Sequence, residues 1–306
     1  ILVLSRSLYL LIISAILTGI AESLLSGTLV SWFVNESHLH NIDINEQVVF
    51  SKASFISNFF SMLVGFLSAQ ILYSIHISLP VSISSIVFLA ATFYFLFLFP
   101  KTKKKHKEQK NYLEDLNQMT SEVLRFFKNN PEIIVSFLLL FIPSLLDLGP
   151  SNQWPSVLNS TSAVYINGYM WIMIMGISML ANFVIAKFEK IDLMPHFRKF
   201  IIIDIISISI MSISHFFIIG FILHVFFFAV CSIISRVYMH KKLIQNDRIR
   251  TTIVSCYNTF ESLLITLLLP VNGILSDAIG ITQTWIVFSV LGIFILFLSS
   301  AGHAVN

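Results

Sequence analysis

FIIIDIISISIMSISHFFIIGFILHVFFFAVCSIISRVYM, Phe200 to Met239, is one long apolar run. At a helical rise of 1.5 Å per residue its roughly 40 residues would extend about 60 Å, twice the hydrocarbon thickness of a bilayer. Such a segment crosses, turns and crosses back, and Gly220 is the expected turn. With no water inside hydrocarbon to satisfy backbone groups, each crossing must be a helix or part of a closed barrel. Runs of about 20 apolar residues point to helices.

The rest of the chain reads the same way. It is 56% hydrophobic and 11% charged, with a mean hydropathy of +0.84, whereas soluble domains carry about 25% charged residues. This composition describes an all-α, multi-pass membrane protein. Candidate spans of roughly 20 residues fall at 8–33, 53–74, 80–99, 132–149, 163–186, 200–218, 221–239, 252–275 and 282–301, nine in all. Cys231 and Cys256 both lie in or beside apolar runs, which gives no support to a disulfide framework or a zinc site. The small basic excess gives no reason to expect a nucleic-acid partner. No P-loop, HExxH, CxxC or GxSxG motif occurs, and the nine histidines form no ligand spacing, so no enzyme, metal or cofactor is expected.

Basic residues set the topology. KTKKKHKEQK (Lys101 to Lys110), Arg125 and Lys128 lie between spans three and four, and Lys187, Lys190, Arg198 and Lys199 between five and six. Arg236, Lys241, Lys242, Arg248 and Arg250 follow span seven. The alternate connections YSIHISLP, DLGPSNQWPSVLNSTSA and SDAIGITQT contain neither Lys nor Arg. The positive-inside rule then places the basic set and the C-terminus in the cytoplasm of a plasma-membrane protein. The chain starts ILVLSRSLYL, without an initiator Met or signal peptide, and ILVLS reads as the end of an earlier span. The expectation is the C-terminal part of a longer protein, or a degraded or partial reading frame. Beyond the basic run, Leu113, Leu116, Met119, Val123 and Phe127 recur at helical spacing up to Pro131, predicting an amphipathic helix at the membrane surface or under the bundle.

Three spans before a cytoplasmic linker and six after it resemble the major facilitator superfamily of secondary transporters, bacterial type, from its helix four to its helix twelve. SGTLVSWFVNE (Ser26 to Glu36) is similar to the cytoplasmic end of helix four, with Asn35 where Asp is usual. NDRIRTTIVSCYNTFESLLITLLLPVNGILSDAIGITQTW (Asn246 to Trp285) resembles the approach to helix eleven and that helix itself. Arg250, Thr252 and Ser255 match its opening, and Thr251 stands where Ala is usual. Span two, FFSMLVGFLSAQ, lacks the Gly-Pro kink of the proton-antiport signature and carries only Gly65. The resemblance implies a partial N-terminal bundle of three helices over 1–100, a cytoplasmic linker over 101–130 and a six-helix bundle over 131–306. It also implies transport or efflux of a small solute or drug by alternating access, with a proton or cation as coupling ion and the lipid bilayer as the other partner. The rival reading is a non-transporting membrane protein, such as a sensor, an assembly partner or a transporter relic.

Ionisable residues within spans are costly, about 2.5 to 3.5 kcal/mol each at mid-membrane, and mark functional candidates. Glu22 lies about 20 Å from the cytoplasmic end of span one and Glu261 about 15 Å into span eight, similar depths at helical rise. In the family these helices face a central cavity from opposite bundles, which implies substrate or coupling roles for both acids. The plainer readings are a packed polar contact with Gly19, Ser23 and Ser26 for Glu22, and an acid bonded within its own bundle for Glu261. Asn258 joins Glu261 in a polar stripe, and Asn58 and Trp171 would line the cavity by helix number. Asp147, at the outer end of span four, is a candidate for an extracellular rim or gate. Arg236 and Arg250 flank a basic loop, as gate residues or as topology-setting charge. Trp154 reads as an interfacial anchor.

Overall fold

The computed structural model describes residues 7–25, 28–40, 45–76, 78–98, 112–159, 167–188, 191–243 and 247–303. All their regular structure is helical. The elements are α1 (Leu8–Leu25), α2 (Thr28–Leu39) and α3 (Glu46–Leu67). A π turn, Ser68–Leu72, leads from α3 to the short α4 (Tyr73–Ile75). Then follow α5 (Leu79–Leu98), α6 (Tyr112–Asn129), α7 (Glu132–Asn159), α8 (Asn167–Lys187), α9 (Phe197–Met211), α10 (Phe217–Tyr238), α11 (Asp247–Ile279) and α12 (Ile281–His303). Among these residues six stretches are long and apolar enough to cross a membrane: Glu46–Ile75, Glu132–Leu158, Gly168–Lys187, Phe217–Tyr238, Arg250–Ile279 and Ile281–Ser299. Of the other three expected spans, 8–33 is divided between α1 and the start of α2, and the remaining two fall on α5 and α9; the described apolar stretches of α1, α5 and α9 are shorter.

Helix α7 is the centre. Ile142, Leu145 and Leu146 have almost no exposed surface, and α9, α10, α11 and α12 all pack against it. Glycines let the partners approach closely, the usual device where hydrocarbon supplies no hydrophobic drive between helices. The Trp285 ring of α12 lies directly over Gly149, and its Nε1 donates to Gln153 Oε1 at 2.9 Å. Gln153 Nε2 in turn donates to Ser276 Oγ on α11 at 2.8 Å. Gly280, at φ +99°, is the whole connection between α11 and α12, a backbone angle that favours glycine.

Two boundaries differ from the sequence expectation. Span four does not stop at 149: α7 continues through Pro143, Pro150 and Pro155 to Asn159. Proline is tolerated within membrane helices where neighbouring groups re-satisfy the backbone; beside Pro150, Ser151 Oγ and Asn152 Nδ2 also donate to the carbonyls of Asp147 and Leu148. Asp147 is therefore inside a helix that continues past it, and Trp154 is buried on the same helix. Nor is Gly220 the turn of the long apolar run. The chain turns at 212–216, and Gly220 sits in the first turns of α10, where α10 touches α9. A Cβ there would meet Met211 Cα at 2.6 Å and the Ser207 carbonyl oxygen at 2.7 Å.

A second seam joins α3 to α8, antiparallel, at three heights. Gln47 Nε2 donates to the Ile185 and Phe188 carbonyls at 3.1 and 3.0 Å, capping the end of α8. Toward the other end the Trp171 ring lies over Gly65, and its Nε1 donates to the Ser61 carbonyl at 3.0 Å. At the far end the Gln70 side chain packs on Gly168. The amphipathic helix forms as α6, with Val123 buried and Phe127 edge-on to Phe137 of α7 at 6.0 Å. The side chains of Leu113, Leu116 and Met119 lie outside the described residues.

Gly220→Ala should destabilise the protein in detergent by about 1–3 kcal/mol, the usual cost of overpacking. Gly176→Ala, with nothing within 4 Å of the added carbon, should be neutral or stabilise by about 0.5–1 kcal/mol. Thermal unfolding of both variants checks the α9–α10 contact; equal effects would contradict it.

Candidate functional site

The deepest polar constellation is built on α7, α9 and α10, each contributing one side chain. His224 of α10 is 0% exposed and Asp204 of α9 is 1% exposed, while 24% of the Asp147 side chain is accessible. The imidazole bridges the two acids: Nδ1 is 2.7 Å from Asp204 Oδ1 and Nε2 is 3.2 Å from Asp147 Oδ1. Asp204 Oδ2 has no hydrogen-bond partner.

With both acids ionised each only accepts, so making both bonds at once requires a proton on each ring nitrogen. One imidazolium between two carboxylates leaves a single negative charge over. Among the described residues no Lys or Arg pairs with either acid. Counted from Phe217, His224 lies about 10 Å into the α10 span. An uncompensated charge at such depth is costly, and the arrangement is complete only when a proton or another cation is added.

The way in is a cavity of about 510 Å³ enclosed by α3, α7, α8 and α10. Asp147 lies on its wall with Asn58, Trp154, Trp171, Asn182 and Arg236. The trio thus runs from the cavity, at Asp147, through His224 to the fully enclosed Asp204. Arg236, 12 residues along α10 from His224 and so about 18 Å away at helical rise, donates to Ser54 Oγ of α3 at 3.3 Å.

The candidates from sequence divide between this cavity and other places. Asn58, Trp171, Asp147 and Arg236 come together on its walls. Glu261 and Asn258 do not: Ser144 Oγ of α7 donates to Glu261 Oε1, which places this acid in the α7–α11 contact. Glu22 belongs to α1, and its side chain lies outside the described residues. Arg250 is 2% exposed and donates from Nη1 to the His240 carbonyl at 2.5 Å, holding the start of α11 to the π turn Met239–Leu243. That His240 ring, two residues past the span, packs on Phe50 of α3. Burial, and then the charges of Arg250 and Arg236, push its pKa down to about 4, so it is neutral at neutral pH.

Asp204 and His224 were not among the sequence candidates. The signal that finds them is the scarcity of ionisable groups inside a span, applied to the run at 200–239 as it is to Glu22 and Glu261. Among the described residues no group of three His, Cys, Asp or Glu is arranged to hold a metal ion. No protein-family model, curated protein or solved structure matches the chain.

Removing the shared ring strands a buried carboxylate. His224→Ala should therefore cost about 3–5 kcal/mol, as for other broken buried pairs. Asp147→Asn keeps an oxygen toward Nε2 beside an accessible cavity and should cost less. Unfolding in detergent measures both; a mild His224→Ala, equal to Asp147→Asn, would contradict the bridge.

Proposed function

We propose that the protein is a secondary transporter of the plasma membrane that moves a small solute through the α3/α7/α8/α10 cavity by alternating access. The observation that carries this reading is the cavity itself. Apolar helices from both sides of the basic 101–110 segment turn Asn58, Asp147, Asn182 and Arg236 inward, and polar groups at membrane depth belong to solute or ion pathways. The major facilitator resemblance, with α1, α5 and α9 as spans, the basic loops and C-terminus cytoplasmic, and no catalytic chemistry, completes the proposal. The units 1–100, 101–130 and 131–306 would be its two bundles and their linker.

A specific observation favours the rival reading, a non-transporting sensor or assembly partner. The α3–α8 seam is fastened at three heights and crosses the proposed bundle boundary, and α5 offers a largely exposed apolar surface to a neighbour.

One experiment separates the two without knowing the solute. Ser178 of α8 lines the cavity, so Ser178→Cys should react with a membrane-impermeant maleimide from either side of oriented vesicles, and Asp147→Asn should shift the balance between sides. Reaction from one side only would contradict alternating access and favour the static reading.

A further inference from the structure

We propose that the cavity binds a small organic cation, seated on Asp147, whose charge balances the Asp147–His224–Asp204 trio. This deepens the transport reading by naming the class of solute.

Three observations converge. The first is charge: with both acids ionised, two carboxylates share one imidazolium and the trio is one positive charge short, and its accessible member is the one on the cavity wall. The second is the lining around that carboxylate. Trp154 stands two turns along α7, with its ring centroid 6.3 Å from that of Phe221, and Phe228 lies one turn beyond His224. Trp171 closes the opposite wall. Aromatic faces attract cations and tolerate alkyl or aryl substituents, so they suit an organic cation better than a small hydrated ion.

The third is the placement of Arg236. A guanidinium in the same cavity disfavours a cation, but it lies about 18 Å along α10 from His224. For a cation in contact with Asp147 the near carboxylate acts over the shorter distance and outweighs the guanidinium. The same separation leaves the Arg236 end free for a polar or anionic substituent on a long solute.

The test is equilibrium binding of radiolabelled tetraphenylphosphonium to the purified wild-type protein in detergent, compared with binding of labelled tetraphenylborate, its anion of the same shape, in a separate sample. The expected result is saturable binding of the cation and not of the anion, with cation binding weakened at least tenfold by Asp147→Asn and severalfold by Trp171→Leu, and not weakened by Arg236→Gln. Absence of saturable cation binding, saturable binding of the anion with the same affinity, or affinity indifferent to Asp147→Asn would each overturn the site. The cation–anion contrast in the wild type stands even where a variant fails to fold. Cation binding with one-sided Ser178→Cys labelling would sink the transport reading alone; two-sided labelling without cation binding would sink this inference alone.

Discussion

One imidazole ring holds two acids, and that sharing is the constraint around which the buried part of the molecule is arranged. Asp147, His224 and Asp204 come from three helices, so α7, α9 and α10 can neither slide nor rotate past one another without breaking a bond to the ring. Each group alone would be costly inside hydrocarbon; together they supply one another with partners and reduce the net charge to one. The close contact of Gly220 with the backbone of α9 brings α10 near enough for His224 to reach Asp204. Trp285 over Gly149 fixes α7 from its other side, two residues from Asp147.

The cavity follows from where this cluster ends. Asp204 and His224 are sealed, Asp147 is not, and the space beside it is closed by α8 and by α3, which the Gln47, Trp171 and Gln70 contacts hold to α8. The result is a pocket lined by a carboxylate, a guanidinium and several aromatic rings. Any motion that opened it would have to part some of α3, α7, α8 and α10. The α3–α8 seam carries side-chain-to-backbone hydrogen bonds at two heights, whereas between α3 and α10 Arg236 Nη1 donates to Ser54 Oγ at 3.3 Å.

Membrane-spanning segments were legible because hydrocarbon demands long apolar runs, and the helices α3, α7, α8, α10, α11 and α12 fall where those runs are. Their ends were not legible, because the usual punctuation of soluble proteins changes meaning in a packed membrane bundle. Pro150 and Pro155 read as a loop yet lie within α7, and Gly220 reads as a turn yet marks a close approach of two helices. That reading of α7 put Asp147 at the end of a helix that continues past it. Asn58 and Trp171 were reached from helix order. Glu261 was picked out by depth, but depth does not say which neighbour a helix face meets, and its neighbour is Ser144. The partnership of Asp204 and His224 was hidden for a related reason: their pairing depends on where the run between them turns, and the sequence does not place that turn.

Solid-state NMR reads the ring between two carboxylates directly. With 15N-labelled histidine and 13Cγ-labelled aspartate in lipid bilayers, His224 assigned by subtraction of a His224→Gln sample, 15N–13C dipolar dephasing is expected at both ring nitrogens, one lost in Asp204→Asn and the other lost in Asp147→Asn, each with 13C at aspartate alone. A His224 ring that shows no dephasing at either nitrogen, or whose N–H protons exchange freely with deuterated water, would contradict it.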